Sequence, residues 1–231
     1  MPPHTVDRAA MIQHWSDASF LHWRVDAAVL RLLVDPAFEV EEFDGSAWIG
    51  LVPFRMMMRL PYQPPLPVIS HYPETNVRTY VRDRRGRSGL WFLSLDVARS
   101  LAVIAGRSAL RLPYAWSRMS TEELPGGVTY RAERIAPARG ARSRVSVSTG
   151  GSEDDSDLAR FLTARFRLFG RGPLGTFEVD VEHPPWRLEK ATVIEIEDDL
   201  VATAGVDVFG EPDHVLFSTG VEVRLGFPHR A

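Results

Sequence analysis

Between His71 and Val81 the chain reads HYPETNVRTYV, with Glu74, Asn76, Arg78 and Tyr80 on every second position. Side chains on a strand point alternately to opposite faces. This spacing therefore gathers a carboxyl, an amide, a guanidinium and a phenol on one face and sends Val77, Thr79 and Val81 to the other. A strand of this kind faces either water or a polar pocket. The same period-two alternation recurs along most of the chain and restricts the fold to one dominated by β-sheet.

Around this strand the local signals are consistent. VDAAVLRLLVDP (25–36) predicts a short helix with Ala28, Leu32 and Leu33 at helical spacing and Pro36 as its stop. Two strands then flank Asp44-Gly45, a strong hairpin signal. Five prolines, Pro61, Pro64, Pro65, Pro67 and Pro73, make 60–73 an extended loop that cannot be a central strand. Strands over 76–83 and 88–95 flank RRGRSG, and a helix is predicted over about 96–107, with Asp96 suited to its N-terminus. GVTYRAER and RSRVSVS alternate as strands; TGGSEDDSD reads as a solvated acidic loop and SDLARFLTARF as a helix running into a strand. FEVDVEH, ATVIEIED, LVATAGVDVF and HVLFSTGVEVRL complete the chain as four β segments. With no repeat and no linker, residues 1–231 read as one domain. Its class is α+β: mainly antiparallel β, a bent sheet or barrel, with two or three helices.

Composition removes several function classes. A net charge of −3 gives no reason to expect nucleic-acid binding. Zero cysteines exclude disulfides, thiol nucleophiles and thiolate metal sites. No apolar run reaches the roughly 18 residues of a membrane span and the N-terminus lacks a signal-like apolar stretch, so a soluble, cytoplasmic protein is expected. Lys190 is the sole lysine, leaving one candidate amine for Schiff-base chemistry.

Motif searches are mostly negative. GRGPLG (170–175) matches a dinucleotide-binding fingerprint in letters. A strand follows it instead of the required helix, so it reads as a hairpin turn. The histidines lack metal-ligand spacing, and no metal or cofactor is expected. Glu178, Asp180 and Glu182 alternate on one strand; a solvated face explains them better than paired catalytic carboxylates. Trp186 in H-P-P-W (183–186) is a packing anchor, and a turn role suits His183 better than catalysis.

The blocks HWRVDAAVLRLLVDPAFEVEEFDGSAWIGLVPFRM, YPETNVRTYV, GLWFLSLDVARSLAVIAGR, LPYAWSRM and VEHPPWRLEKA resemble the bacterial family catalogued as domain of unknown function 2071, over roughly residues 14–228. That family is similar in fold to acetoacetate decarboxylase. The resemblance implies a mostly antiparallel, barrel-like β fold around a small-molecule pocket, and it implies no activity. In the decarboxylases a Tyr-Thr-Glu-like segment supplies a pocket glutamate, matched here by Tyr72-Pro73-Glu74. Their Tyr-Pro-Lys-Lys-like motif, source of the Schiff-base lysine and its helper, is Leu112-Pro113-Tyr114-Ala115 in this chain. Gly50 and Ser16 fall about where the other active-site glutamate and the arginine belong. Glu74 is thus the sole matched catalytic position, and a tyrosine hydroxyl cannot form an iminium with a ketone.

Two functions remain open. In the first, favoured by the residues alone, the protein binds a small apolar or mildly acidic metabolite. Asn76, Arg78, Tyr80 and Tyr114 orient its polar end while Phe54, Met56 and Trp91 enclose the rest. In the second it is a cofactor-independent lyase, isomerase or hydratase acting on a small carbonyl or carboxylate compound, with Glu74 as general acid/base. A Glu74 carboxyl raised by burial favours the enzyme; one lowered by pairing to Arg78 favours the binder.

Overall fold

At Asp44 and Gly45 the backbone takes φ values of 52° and 72°. This left-handed pair closes a two-residue hairpin between β3 (Glu42–Phe43) and β4 (Ser46–Arg59). The computed structural model describes residues 5–65, 70–99 and 110–231. Within them the order is β1 (Met11–Val25), α1 (Ala27–Arg31), β2 (Glu39–Val40), β3, β4, β5 (His71–Arg82), β6 (Ser88–Val97), β7 (Tyr114–Leu124), β8 (Gly127–Ala136) and β9 (Arg142–Ser148). There follow α2 (Asp157–Thr163), β10 (Arg167–Gly172), β11 (Gly175–Glu182), β12 (Glu189–Lys190), β13 (Val193–Asp198), α3 (Leu200–Thr203), β14 (His214–Leu225) and β15 (His229–Arg230).

All 15 strands belong to one sheet. It is antiparallel except where β6 meets β7 and β10. The first half of β6 pairs with β10 and the last residues with β7, so β6 is the branch point. Through it the pairings return on themselves: β5, β6, β10, β11, β14, β1 and β4 form a ring of seven strands. Strands β7, β8, β9 and β13 continue outward as a wing. Sheet pairing thus joins segments from before and after residue 150, as where β14 pairs β1. The fold is mainly β in one bent sheet, as the alternation implies. No described helix is long and apolar enough to cross a membrane.

The wing explains why β4 reads as an almost unbroken apolar run. Leu21, Leu51 and Val77 point out of the ring and are wholly buried against Val128, Tyr130, Val145 and Val147 of the wing, with Leu30 of α1 and Leu200 of α3. Phe20, Val52 and Phe54 point inward. Strands covered on both faces have no polar side to show. Each such side chain contributes about 1.5–3 kcal/mol on leaving water.

Several elements differ from the sequence-based expectation. The α1 helix is capped by the Asp26 carboxylate accepting from the Ala28 amide, and it buries Ala27 and Leu30, while Leu32 is exposed. Strand β5 begins at His71, so Pro73 lies inside a strand, opposite Arg55. Proline is tolerated there because β6 reaches only as far as Glu74, leaving no ladder bond to lose on that side. Pro53 in β4 lies where the β1–β4 register breaks between Ser16 and Leu21, which also dispenses with its N–H. Asp96 and Val97 are strand, not helix, and most of the helix expected over 96–107 lies outside the described residues. LVATAGVDVF is a short helix and a coil, because Leu200 and Val201 together plug the wing's core. The acidic loop buries Asp154 against His214. GRGPLG is the turn between β10 and β11, as expected.

Candidate functional site

The strand β5 face identified by alternation is buried on the inside of the ring. Glu74, Asn76, Arg78 and Tyr80 are 5%, 4%, 5% and 0% exposed, so this face meets a pocket rather than water. The register explains the placement. In β4, Phe54 stands opposite Glu74, Val52 opposite Asn76 and Gly50 opposite Arg78; in β6, Val97 and Leu95 stand opposite Glu74 and Asn76. A bulge between Val77 and Arg78 then shifts the β5–β6 register.

These side chains border an interior cavity of about 90 Å³, to which every strand of the ring contributes. By that measure a water needs roughly 10–15 Å³, so the space suits a ligand of about six heavy atoms. Glu74, Asn76, Arg78, Tyr114, Phe54 and Met56 all line it. Tyr80 and Trp91 do not. Tyr80 lies beneath the cavity, its hydroxyl 2.6 Å from His22 Nε2 and its ring faced by the Arg165 guanidinium at 4.9 Å. Trp91 alternates away from its neighbours Leu90 and Phe92, which do face the cavity, and packs on Phe38 outside the ring at 5.6 Å.

Gly50 makes the arrangement under Arg78 possible. A Cβ there would lie 2.9 Å from the His22 imidazole, too close for any relaxed contact with a wholly buried ring. The apolar wall includes side chains that the sequence did not single out as lining: Trp15 and Phe20, and Trp186 beyond its packing role. Trp186 stacks on Trp15 at 6.0 Å and meets Phe20 edge-on at 5.0 Å.

The electrostatics of the polar residues around the cavity differ sharply. Burial pushes the Glu74 carboxyl up to about 8, helped by the nearby negative charge of Asp96. That charge is firmly held. Asp96 accepts from Arg134 Nε at 2.9 Å and Nη2 at 2.5 Å, and from the hydroxyls of Ser94 at 2.9 Å and Ser117 at 2.6 Å. Glu74 itself makes no hydrogen bond or ion pair with a described residue, so the pairing to Arg78 considered from the sequence does not form. Arg78 donates from Nη2 to the Leu162 carbonyl at 3.2 Å, at the C-terminal end of α2. Its Nε has no partner, and no described carboxylate pairs with it. Asn76 Oδ1 is likewise buried without a partner. Arg165, which sequence reasoning missed, lines the cavity too, but Glu41 neutralises it and its Nε donates to the Phe161 carbonyl at 2.6 Å. Burial, and then the proximity of Glu74, hold the Tyr114 hydroxyl well above its usual range, so it stays a neutral phenol.

The remaining candidates lie elsewhere. His183 is buried beside the carbonyls of Pro184 (2.7 Å) and Arg165 (3.4 Å), with its proton affinity lowered by burial, and it does not line the cavity. Lys190 is exposed on β12, and no lysine lines the cavity. Glu178 corrects the expected solvated face, for it is 2% exposed and both its oxygens are taken by Arg87. Glu178, Asp180 and His229 lie close together, but both Glu178 oxygens are engaged by Arg87.

A family model described as "Uncharacterized conserved protein", domain of unknown function 2071, matches residues 12–222. The uncharacterized protein YqjF of Bacillus subtilis is 34% identical over 225 residues, covering 95% of this chain and 91% of YqjF. Among solved structures, an acetoacetate decarboxylase-like enzyme from Sphingomonas wittichii superposes with a TM-score of 0.67 at 16% identity, covering 99% and 95% of the two chains. Acetoacetate decarboxylase from Legionella pneumophila gives 0.65 at 10%, covering 98% and 93%. The enduracididine biosynthesis enzyme MppR, complexed with pyruvate, gives 0.62 at 14%, covering 99% and 90%. These neighbours share the fold.

Proposed function

The chain belongs to the domain of unknown function 2071 family, and from that premise we propose that its ring encloses a site for a small carboxylate on which Glu74 acts as general acid/base. The observation that carries this is the buried Glu74 carboxyl, raised by burial, in a cavity it shares with Arg78, whose Nε is buried without a partner and with which no described carboxylate pairs. A buried guanidinium without a counter-ion is costly, and an anionic ligand removes that cost. Arg78 binds the ligand's carboxylate and the aromatic wall takes its carbon skeleton. That MppR is found complexed with pyruvate, a small keto acid, supports a ligand of this size and charge in this fold.

A carboxyl with a pKa of about 8 carries its proton in roughly ten molecules for each one ionised at pH 7. It is poised to give up and take back a proton, which a merely structural carboxylate is not. The Tyr114 phenol stays protonated and donates to an oxygen that gains negative charge as the ligand loses a proton from carbon. In the fraction of molecules in which it is ionised, Glu74 receives that proton, and the carboxyl so formed returns it to a neighbouring atom, the elementary step of an isomerase and the first half of many lyase and hydratase reactions. Iminium chemistry has no support, because the single lysine, Lys190, is exposed and outside the cavity.

The test pairs two variants. Small carboxylates are screened by ligand-detected NMR, and binders are followed for proton exchange with deuterated solvent. Glu74→Gln keeps binding and loses exchange; Arg78→Met loses both. Exchange that survives in Glu74→Gln removes the acid/base role and leaves a binding protein.

A further inference from the structure

Resting on the carboxylate site just described, we infer that the ligand is a hydroxy acid, a small carboxylate carrying a hydroxyl one or two carbons away, for which Asn76 is the specificity-determining residue. The cavity leaves two buried polar atoms unsatisfied. Arg78 Nε, a donor, and Asn76 Oδ1, an acceptor, are both buried without partners. Both side chains line the cavity and are at least nine-tenths buried. Buried polar groups in native proteins nearly always find a partner, so two adjacent orphans of opposite character describe the missing molecule.

A carboxylate satisfies the donor but has no hydrogen to offer the acceptor. Asn76 Oδ1 is an acceptor buried without a partner, to be met by a ligand N–H or O–H. Plain acids and keto acids lack such a hydrogen; hydroxy and amino acids have one. Charge decides between the last two. No carboxylate among the described residues pairs with the Arg78 guanidinium, and the cavity also holds Arg165, whose charge is only balanced by Glu41. An ammonium brought here meets a like charge in a poorly screened interior, and Glu74, protonated in most molecules at pH 7, gives it no full counter-charge, whereas a hydroxyl meets no such cost. Asn76 and Arg78 are two apart on one strand, roughly 6.6 Å between Cα atoms, near enough for one small molecule to meet both, and we take the hydroxyl to lie one or two carbons from the carboxylate. Trp15, Phe20 and Trp186 leave an apolar wall for a short alkyl group.

The experiment compares glycolate and lactate with acetate, propionate and pyruvate, and with methoxyacetate, which keeps the oxygen of glycolate but not its hydrogen. Affinities are measured by calorimetry on the wild-type protein, on Asn76→Leu and on Arg78→Met. We expect the hydroxy acids to bind about tenfold or more tightly than their matched acids and methoxyacetate, because the latter leave a buried acceptor unmet. Asn76→Leu brings that ratio close to one, and Arg78→Met weakens every acid. Equal binding of glycolate, acetate and methoxyacetate, still dependent on Arg78, overturns the inference and leaves the carboxylate site standing. Binding of none of them, or binding indifferent to Arg78, overturns both. The ligand series on wild-type protein decides the matter even if Asn76→Leu does not fold.

Discussion

Glu74→Gln should change how stability depends on pH in a direction opposite to that of most carboxylates. The folded-state carboxyl titrates at about 8 against an ordinary value of 4.5, because burial penalises its charged form. Between these values the native protein keeps a proton that the unfolded chain has released, so stability falls as pH rises. Below 4.5 both states are protonated and nothing is lost; above 8 both are ionised and the full cost is present. Each pH unit in the window costs about 1.4 kcal/mol, and the whole window on the order of 5 kcal/mol. Glutamine keeps the shape and cannot ionise. Urea unfolding of wild type and Glu74→Gln from pH 5 to pH 9 isolates the effect, since other titrating groups such as Asp198 act on both. About 4 kcal/mol of that cost falls between pH 5 and pH 9, so with an m-value of about 2–3 kcal/mol/M the wild-type midpoint should drop by about 1.5 M relative to the variant across that range. Parallel curves would refute the claim that the carboxyl is held protonated by its surroundings.

Three further outcomes follow from the same geometry. Arg78→Met removes a buried charge without a counter-ion and should raise ligand-free stability by about 1 kcal/mol in denaturant titration, while abolishing stabilisation by small carboxylates. Gly50→Ala forces a Cβ to within 2.9 Å of the His22 ring and should cost about 1–3 kcal/mol, read as a lowered Tm, without touching the cavity lining. Asp96→Asn strands the Arg134 guanidinium, which is 5% exposed, and should cost about 3–5 kcal/mol; in whatever folds, NMR should find the Glu74 carboxyl titrating lower.

Much of the site was legible because β-structure writes its faces into alternate letters. Glu74, Asn76 and Arg78 share a face by spacing alone, and Asp44-Gly45 announces its turn through the φ values only such residues accept readily. Trp91 was harder for a physical reason. GLWFLSL is covered on both faces, so no polar letters mark which side is which, and the bulge at Val77/Arg78 shifts the register beside it. Tyr80 shares the face of Arg78 but is consumed by His22, a contact 58 residues away in sequence that no local pattern records. Arg165 and Trp186 reach the cavity from segments beyond β9, joined to it only through long-range closure of the ring. Leu200 and Val201 looked like a strand because a four-residue helix is too short for its period to be told from alternation.

The central claim is that the interior of the ring holds a small carboxylate against Arg78, beside a protonated Glu74. A crystal structure of the protein soaked with lactate tests it most directly. The account predicts electron density inside the ring, with a carboxylate oxygen within hydrogen-bond distance of Arg78 Nε and the ligand hydroxyl against Asn76. A cavity filled by water alone, or lactate found only against exposed arginines, would contradict it.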